Sequence, residues 1–204
     1  MSRYIGPRVK KLRALGVDLP GLSRKSHERR PQAPGQHGAK RKRKVSDFGR
    51  QLAEKQKLRF NYGVGERQFR RLVLESRKSK MGAGDKLLEL LERRLDNVVF
   101  RAGLAATIPA ARQLVSHGHI TVNGRRVNIP SYRVHVGDVI RPKDSSLQLH
   151  AVHASLGSPA LSTPDWLEVD KSKLLTRVSA LPDKAAIPFA IDIQLVIEHY
   201  SKRI

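Results

Sequence analysis

The chain has 204 residues, 39% of them apolar, and carries 40 lysines and arginines against 18 aspartates and glutamates, a net charge of +22. With no cysteine it has neither a disulfide framework nor a thiolate zinc site, and no apolar run approaches the ~18 residues of a membrane span. So large an excess of cations disfavours a compact chain on its own and points to a polyanionic partner.

The charge is uneven: +12 over residues 1–50, +5 over 51–100, +5 over 101–150 and zero over 151–204. This gradient predicts a nucleic-acid-facing front and a neutral back. The N-terminal residues lack the apolar core of a secretory signal, so a cytoplasmic protein is expected.

In chain order, residues 1–44 read as a basic arm. The sequence PGQHG at 34–38 sits between Arg29-Arg30 and the cationic run 40–44, which begins with Lys40 and Arg41. Gly35 and Gly38 permit close backbone approach. With Gln36, His37 and the flanking charge, they suit a polyphosphate chain; the competing reading from composition is a disordered basic tail.

A first helix is predicted from Ser46, a candidate N-cap, to Gly63. Phe48, Leu52, Leu58 and Tyr62 share its apolar face, with Gln51 and Lys55 intruding. A second helix, from about 66, points Phe69, Leu72, Val73 and Ser76 inward and Arg67, Arg70, Arg71 and Arg77 mostly outward; residues 79–84 break the pattern.

A third helix is predicted over 85–101. At ~100° per residue, Leu87, Leu88, Leu91, Leu95, Val98 and Val99 share one side, Glu89, Glu92 and Asp96 a second, and Arg93, Arg94, Asn97 and Arg101 a third. Cations and acids are thus sorted by face, with one flank free to meet an anion and the acids solvated or facing a partner. A fourth helix has Thr107 as N-cap, Pro109 in its first turn and Gly118 just past its end. Ile108, Ala110, Ala111, Leu114 and Val115 form its inner side. Arg112, Gln113, Ser116 and His117 form an outer side that is either solvated or ligand-facing.

Alternation from His119 to Val122, the Asn123-Gly124 pair, and Arg125-Arg126 predict a two-residue hairpin. Arg133 lies in the link to a further strand marked by Val134, Val136 and Ile140 and broken by Gly137-Asp138. The outer sides of the two helices would line one groove with Arg94, Arg101, Arg112, Gln113 and His117, continued by His119, Asn123 and Arg125. Residues 141–164 are polar and loop-rich, 166–170 read as a strand, and 171–186 are uninformative. The apolar-rich segment 191–202 allows a strand by its Ile, Val and Tyr content.

Patterns that suggest other chemistry are weak. His117 and His119 form at most a metal pair, split by a glycine between a helix end and a strand, with no cysteine or nearby carboxylate to complete it. No Ser/His/Asp set or dinucleotide-binding glycine pattern is found. An enzyme is not expected, nor is any cofactor or metal.

ERRLDNVVFRAGLAAT and ARQLVSHGHITVNGRRVNIPSYRV together resemble the small RNA-binding module of the ribosomal protein S-four family, the fourth protein of the bacterial small subunit. ERRPQAPGQHG resembles that family's N-terminal segment, and EKQKLRFNYGVGERQFRRL its helical region. Ile108 departs from the pattern, standing where the family usually has a basic residue for one phosphate contact. Many relatives hold zinc through four cysteines in the arm; this chain resembles the zinc-free variant.

The resemblance implies an α+β protein in three parts: a basic N-terminal arm (1–44), an all-helical domain (45–86, completed by 187–204 as a returning helix), and a small α+β RNA-binding module of two helices and a hairpin or small sheet with a loop-rich extension (87–186). It implies a structural role in the small subunit, with early binding to 16S rRNA, nucleation of subunit-body assembly and an influence on decoding accuracy. Neighbouring proteins S-five and S-three and mRNA near its entrance are the implied partners, with no membrane. The alternatives are an RNA-modifying enzyme or an RNA chaperone carrying the same module.

Overall fold

A computed structural model describes residues 4–39 and 44–201. The fold is α+β and divides into two compact units, one of Met1–Leu87 with Phe189–Ile204 and one of Leu88–Pro188.

In the first unit the arm is packed over residues 8–22, while most of residues 24–39 are exposed. Helix α1 (Arg8–Leu15) ends on Gly16, whose N–H donates to the Leu12 carbonyl. Leu12, Leu19 and Leu22 are buried together, with Leu15, Val17, Phe60 and Phe189 packed against them. Burying a leucine stabilises by about 1.5–3 kcal/mol, so three of them hold a segment whose composition alone suggests disorder. The backbone N–H of Gly21 donates to the buried Asn61 side chain at 2.9 Å, tying the arm to the next helix.

Helix α2 (Asp47–Asn61) is capped by Ser46, which accepts from Gly49 N–H. Leu58 and Tyr62 are buried as expected, but Phe48 is 46% exposed, its ring beside His199. Lys55, which spoils the apolar stripe in sequence, is only 6% exposed because its Nζ donates to both carboxylate oxygens of Glu66 at 3.0 Å. A buried cation is tolerated when so paired. Helix α3 (Glu66–Ser76) buries Phe69, Leu72, Val73 and Ser76, the set its spacing predicts.

The second unit does not contain one long helix over 85–101. Helix α4 (Ala83–Glu92), which spans the boundary between the units, stops; Arg94 is extended (φ −70°, ψ 136°) and bridges Arg133; helix α5 (Leu95–Arg101) then begins. Leu95 and Asp96 N–H groups donate to the carbonyls of Tyr132 at 2.8 Å and Pro130 at 3.1 Å instead of to the preceding turn. The Asn97 amide returns to cap the Glu92 carbonyl at 3.0 Å. Asp and Asn offer the backbone such side-chain alternatives to helix, and the DN pair was the sequence signal for this break.

Helix α6 (Ile108–Ser116) packs on α5 and runs into a five-stranded antiparallel sheet. The strands are β1 (Ile120–Val122), β2 (Arg125–Arg126), β3 (Val139–Pro142), β4 (Leu167–Asp170) and β5 (Leu175–Val178), in spatial order β2-β1-β3-β5-β4. Helix α7 (His150–Gly157) occupies part of the segment read as loop-rich, and β5 falls in the stretch that was uninformative. Residues 191–202 are helical over their described core: α8 (Ile193–Ser201) packs on α2 and α3 of the first unit. Asp192 accepts from the N–H groups of Gln194 and Leu195, capping its start and excluding the strand alternative.

Candidate nucleic-acid interface

The arginines assigned to an outward flank are turned inward. Arg94 is 4% exposed and Arg101 5%, around acids that are themselves buried. Arg94 makes a bidentate pair with Asp96 at 3.1 and 2.9 Å, and Arg112 reaches the same carboxylate with Nε at 3.0 Å and Nη2 at 2.6 Å. Asp96, at 0% exposure, thus joins α6 to the start of α5. Glu92 accepts the Asn97 amide at 2.8 Å and faces Arg101 Nε at 3.7 Å, while Arg101 Nη2 donates to the Ala186 carbonyl. Glu89 holds Arg93 at 2.8 Å. The acids form neither a solvated nor a partner-facing side, and the groove drawn through Arg94 and Arg101 is absent. Arg112 keeps a partly exposed rim, and Arg133 is half-buried in the bridge to Arg94.

In the second unit the sheet gathers a further set of cations toward its surface. Directly paired residues share a face, and Thr121 opposes both Arg126 and Arg141, while Val139, two residues before Arg141, opposes Arg177. Three strands therefore place Arg126, Arg141 and Arg177 on one face. The alternate residues Ile120, Val122, Ile140, Thr176 and Val178 are buried on the other. Glu168 opposes Arg177, and Arg141 pairs with Asp144, so the row is basic with acids at its margin. Arg126, Arg141 and Arg177 were missed in the sequence; the alternation around Arg125-Arg126 was the available signal, and pairing Arg177 with them required the sheet order.

One end of this face meets the end of α6. Gly118 N–H donates to Val115 O at 2.8 Å and His119 N–H to Leu114 O at 3.0 Å, the paired bonds of a glycine helix terminus with Gly118 at φ 72°. The Arg126 guanidinium lies directly over Gly118, where a Cβ would collide with it. The rings of His117 and His119 flank that position with centroids 6.1 Å apart, and Gln113 is exposed one turn before His117. His119 Nδ1 is within 2.9 Å of Ser146 Oγ. Asn123 (φ 51°) and Gly124 (φ 76°) make the predicted tight turn. The Asn123 amide is engaged in the framework, donating to Asp138 Oδ1 at 2.8 Å and accepting from Val139 N–H at 2.9 Å. Arg125 is exposed beside it.

In the first unit Arg29, Arg30, Gly35, Gln36 and His37 are all exposed; Lys40 and Arg41 lie outside the described residues. The PGQHG turn is tight: Gly38 N–H donates to Gly35 O at 3.1 Å, and a Cβ at Gly38 would collide with the Ala33 carbonyl. At Glu66 burial pushes the pKa up, but the Tyr200 hydroxyl, Lys55 and Arg59 outweigh it and hold it below the usual range. Burial and the Glu66 charge in turn raise the Tyr200 pKa, keeping its hydroxyl a donor to Glu66 at 2.6 Å.

Among the described residues no three His, Asp or Glu side chains are grouped to hold a metal ion, and no helix is long and apolar enough to cross a membrane.

Residues 3–92 match the family model of the ribosomal protein S4/S9 N-terminal domain and residues 93–140 that of the S4 domain. The matches meet where α4 ends. The chain is similar along its whole length to small ribosomal subunit protein uS4 of Methylobacillus flagellatus, at 57% identity over 205 residues with all of both chains covered. It is also 57% identical over 204 residues to protein uS4B of Nitrosomonas europaea and 53% identical over 207 residues to uS4 of a Synechococcus strain, again with full coverage of both chains.

Proposed function

We infer the function from one premise: the chain belongs to the ribosomal protein S4 family, whose members in the small ribosomal subunit are the uS4 proteins. It is a structural constituent of the small subunit, acting by binding RNA and not by catalysis. In the finer reading it is a primary 16S rRNA-binding protein, helps nucleate the subunit body and influences decoding accuracy. It then lies beside S-five and S-three and near incoming mRNA, in cytoplasmic ribosomes.

The observation that carries the RNA contact is the row Arg126, Arg141 and Arg177, drawn from three strands onto the face opposite the buried side of the sheet, with Arg126 and Arg177 exposed and Arg141 half-buried beside Asp144. Such a row spaces guanidinium groups for phosphates, and folded RNA is met mainly through its backbone and shape. His117, His119 and Gln113 extend the contact, with Arg112 at its rim; Arg125, opposite Val122, belongs to the other face and is exposed at the hairpin turn. In the first unit Arg29, Arg30 and the turn of Gly35, Gln36 and His37 form a second contact, which Lys40 and Arg41 continue. Arg94, Arg101, Arg133 and Asn123 serve as framework that holds the contact residues in place.

Filter binding of the full chain to 16S rRNA across a salt series tests this. Each phosphate neutralised should add ~0.7–0.9 to the slope of log affinity against log salt. A flat response, or equal affinity for an unrelated RNA of the same length, would refute the reading.

A further inference from the structure

Residues 23–32, SRKSHERRPQ, contain no large apolar side chain, yet they follow a segment anchored by buried Leu19 and Leu22 and by the Gly21–Asn61 hydrogen bond. Asp18 stands at the junction. Its Oδ2 accepts from Ser26 Oγ at 2.6 Å, and its Oδ1 accepts from the His27 N–H at 2.9 Å and lies 2.7 Å from His27 Nδ1. Ser26 Oγ accepts in turn from Glu28 N–H at 3.2 Å, and Arg30 N–H closes a turn on the His27 carbonyl at 3.0 Å. Beyond it, Arg13 Nε donates to the Gln32 carbonyl at 3.0 Å. The segment is therefore shaped by polar ties centred on one carboxylate, not by burial.

We propose that Asp18 is a positioning residue for RNA binding: it folds residues 26–30 into a fixed turn and so presents Arg29 and Arg30 already ordered for phosphates. The proposal rests on the RNA-binding reading above. A segment disordered before binding must be ordered at binding, which lowers affinity without removing a contact. Asp18 is one of 3 acids in the first 50 residues, beside cations that would meet RNA, so charge alone makes it unfavourable there. Its carboxyl is held below the usual range: burial pushes it up, but the hydrogen bonds from Ser26 and His27 outweigh burial. That balance is the mark of a carboxylate stabilised as an acceptor.

The test compares the full-length wild type with Asp18→Asn, Ser26→Ala and Arg29→Gln. Each is titrated with a 16S rRNA transcript across a potassium chloride series, and backbone amide exchange is followed by NMR. Removing a negative charge near RNA would by itself tighten binding. The expected result for Asp18→Asn is the opposite, a loss of roughly tenfold, the cost of re-ordering about one residue's backbone. The salt slope should stay unchanged, because the same phosphates are neutralised once bound. Amides of His27 and Arg30 should lose protection while those of Leu12 and α2 keep it. Ser26→Ala, which cuts one tie away from the buried leucines, should give a smaller loss of the same kind. Arg29→Gln should instead lower the slope by about 0.7–0.9.

Unchanged or tighter binding by both Asp18→Asn and Ser26→Ala overturns the proposal, as does loss of Leu12 protection in both, which would make the ties part of the core. Failure of the wild type to bind the transcript overturns the RNA-binding premise itself. It is distinguishable because His27 protection in the free protein would still differ between wild type and Asp18→Asn.

Discussion

The Asp96 network between α5 and α6 and the outer face of the sheet are both built from arginines, and they place the charge under opposite conditions. Arg94 is buried against a carboxylate that is itself fully buried, so removing either partner strands an ion in a poorly solvated site. Arg126 lies in solvent over a glycine, where water already solvates it and an incoming phosphate replaces that water. The first kind of arginine fixes geometry; the second is available for binding. Sequence alone treats them alike, since each sits in a pair of adjacent arginines.

The sharpest way to break this contrast is Asp96→Ala, which leaves Arg94 and Arg112 without their shared acceptor. Breaking a buried pair costs about 3–5 kcal/mol, so urea or thermal unfolding should show the second unit melting early. Arg94→Ala should shift the same way. Wild-type melting of Asp96→Ala would mean that the network is not what joins these helices. At the other pole, Arg126→Ala should leave stability within about 0.5 kcal/mol. It should weaken 16S rRNA binding by about 1.5–3 kcal/mol for each charge-assisted hydrogen bond lost, read by filter binding at fixed salt.

Gly118→Ala couples the two poles through packing. It forces a side chain into left-handed backbone at about 1–2 kcal/mol and displaces the Arg126 guanidinium. Melting temperature and RNA affinity should therefore fall together, whereas Arg126→Ala moves affinity alone.

The smallest effect is expected at the half-exposed Glu66, an intermediate case in which solvent screens much of the interaction. Its folded pKa lies below the unfolded value, so its contribution is present above the unfolded pKa and is lost as pH falls through the lowered folded one. Acid titration of wild type against Glu66→Gln should show a small excess loss of wild-type stability in that window and none near neutrality. Parallel pH curves would remove Glu66 from the account.

Local chemistry made several elements legible. Ser46 and Thr107 cap helices through their own next turn, and α3 buries the apolar stripe its spacing describes. Asn123-Gly124 makes the tight turn because adjacent positive φ values favour that pair. The family resemblance supplied the returning helix α8, whose composition alone allowed a strand. Long-range pairing made the rest illegible. Lys55 is buried because Glu66 from the next helix meets it, and Phe48 is left partly exposed at the start of α2.

Net charge, helix caps and the hairpin turn were thus determined by the sequence itself, because each depends on composition or on residues a few positions apart; charge pointed only to a polyanionic partner, and the family resemblance made that partner RNA. Which arginines face solvent was decided only by the tertiary structure. Arg112 meets Asp96 across 16 positions and Arg101 meets the Ala186 carbonyl across 85. A cation's exposure follows from whether a distant acceptor reaches it, and no helical or strand period carries that information.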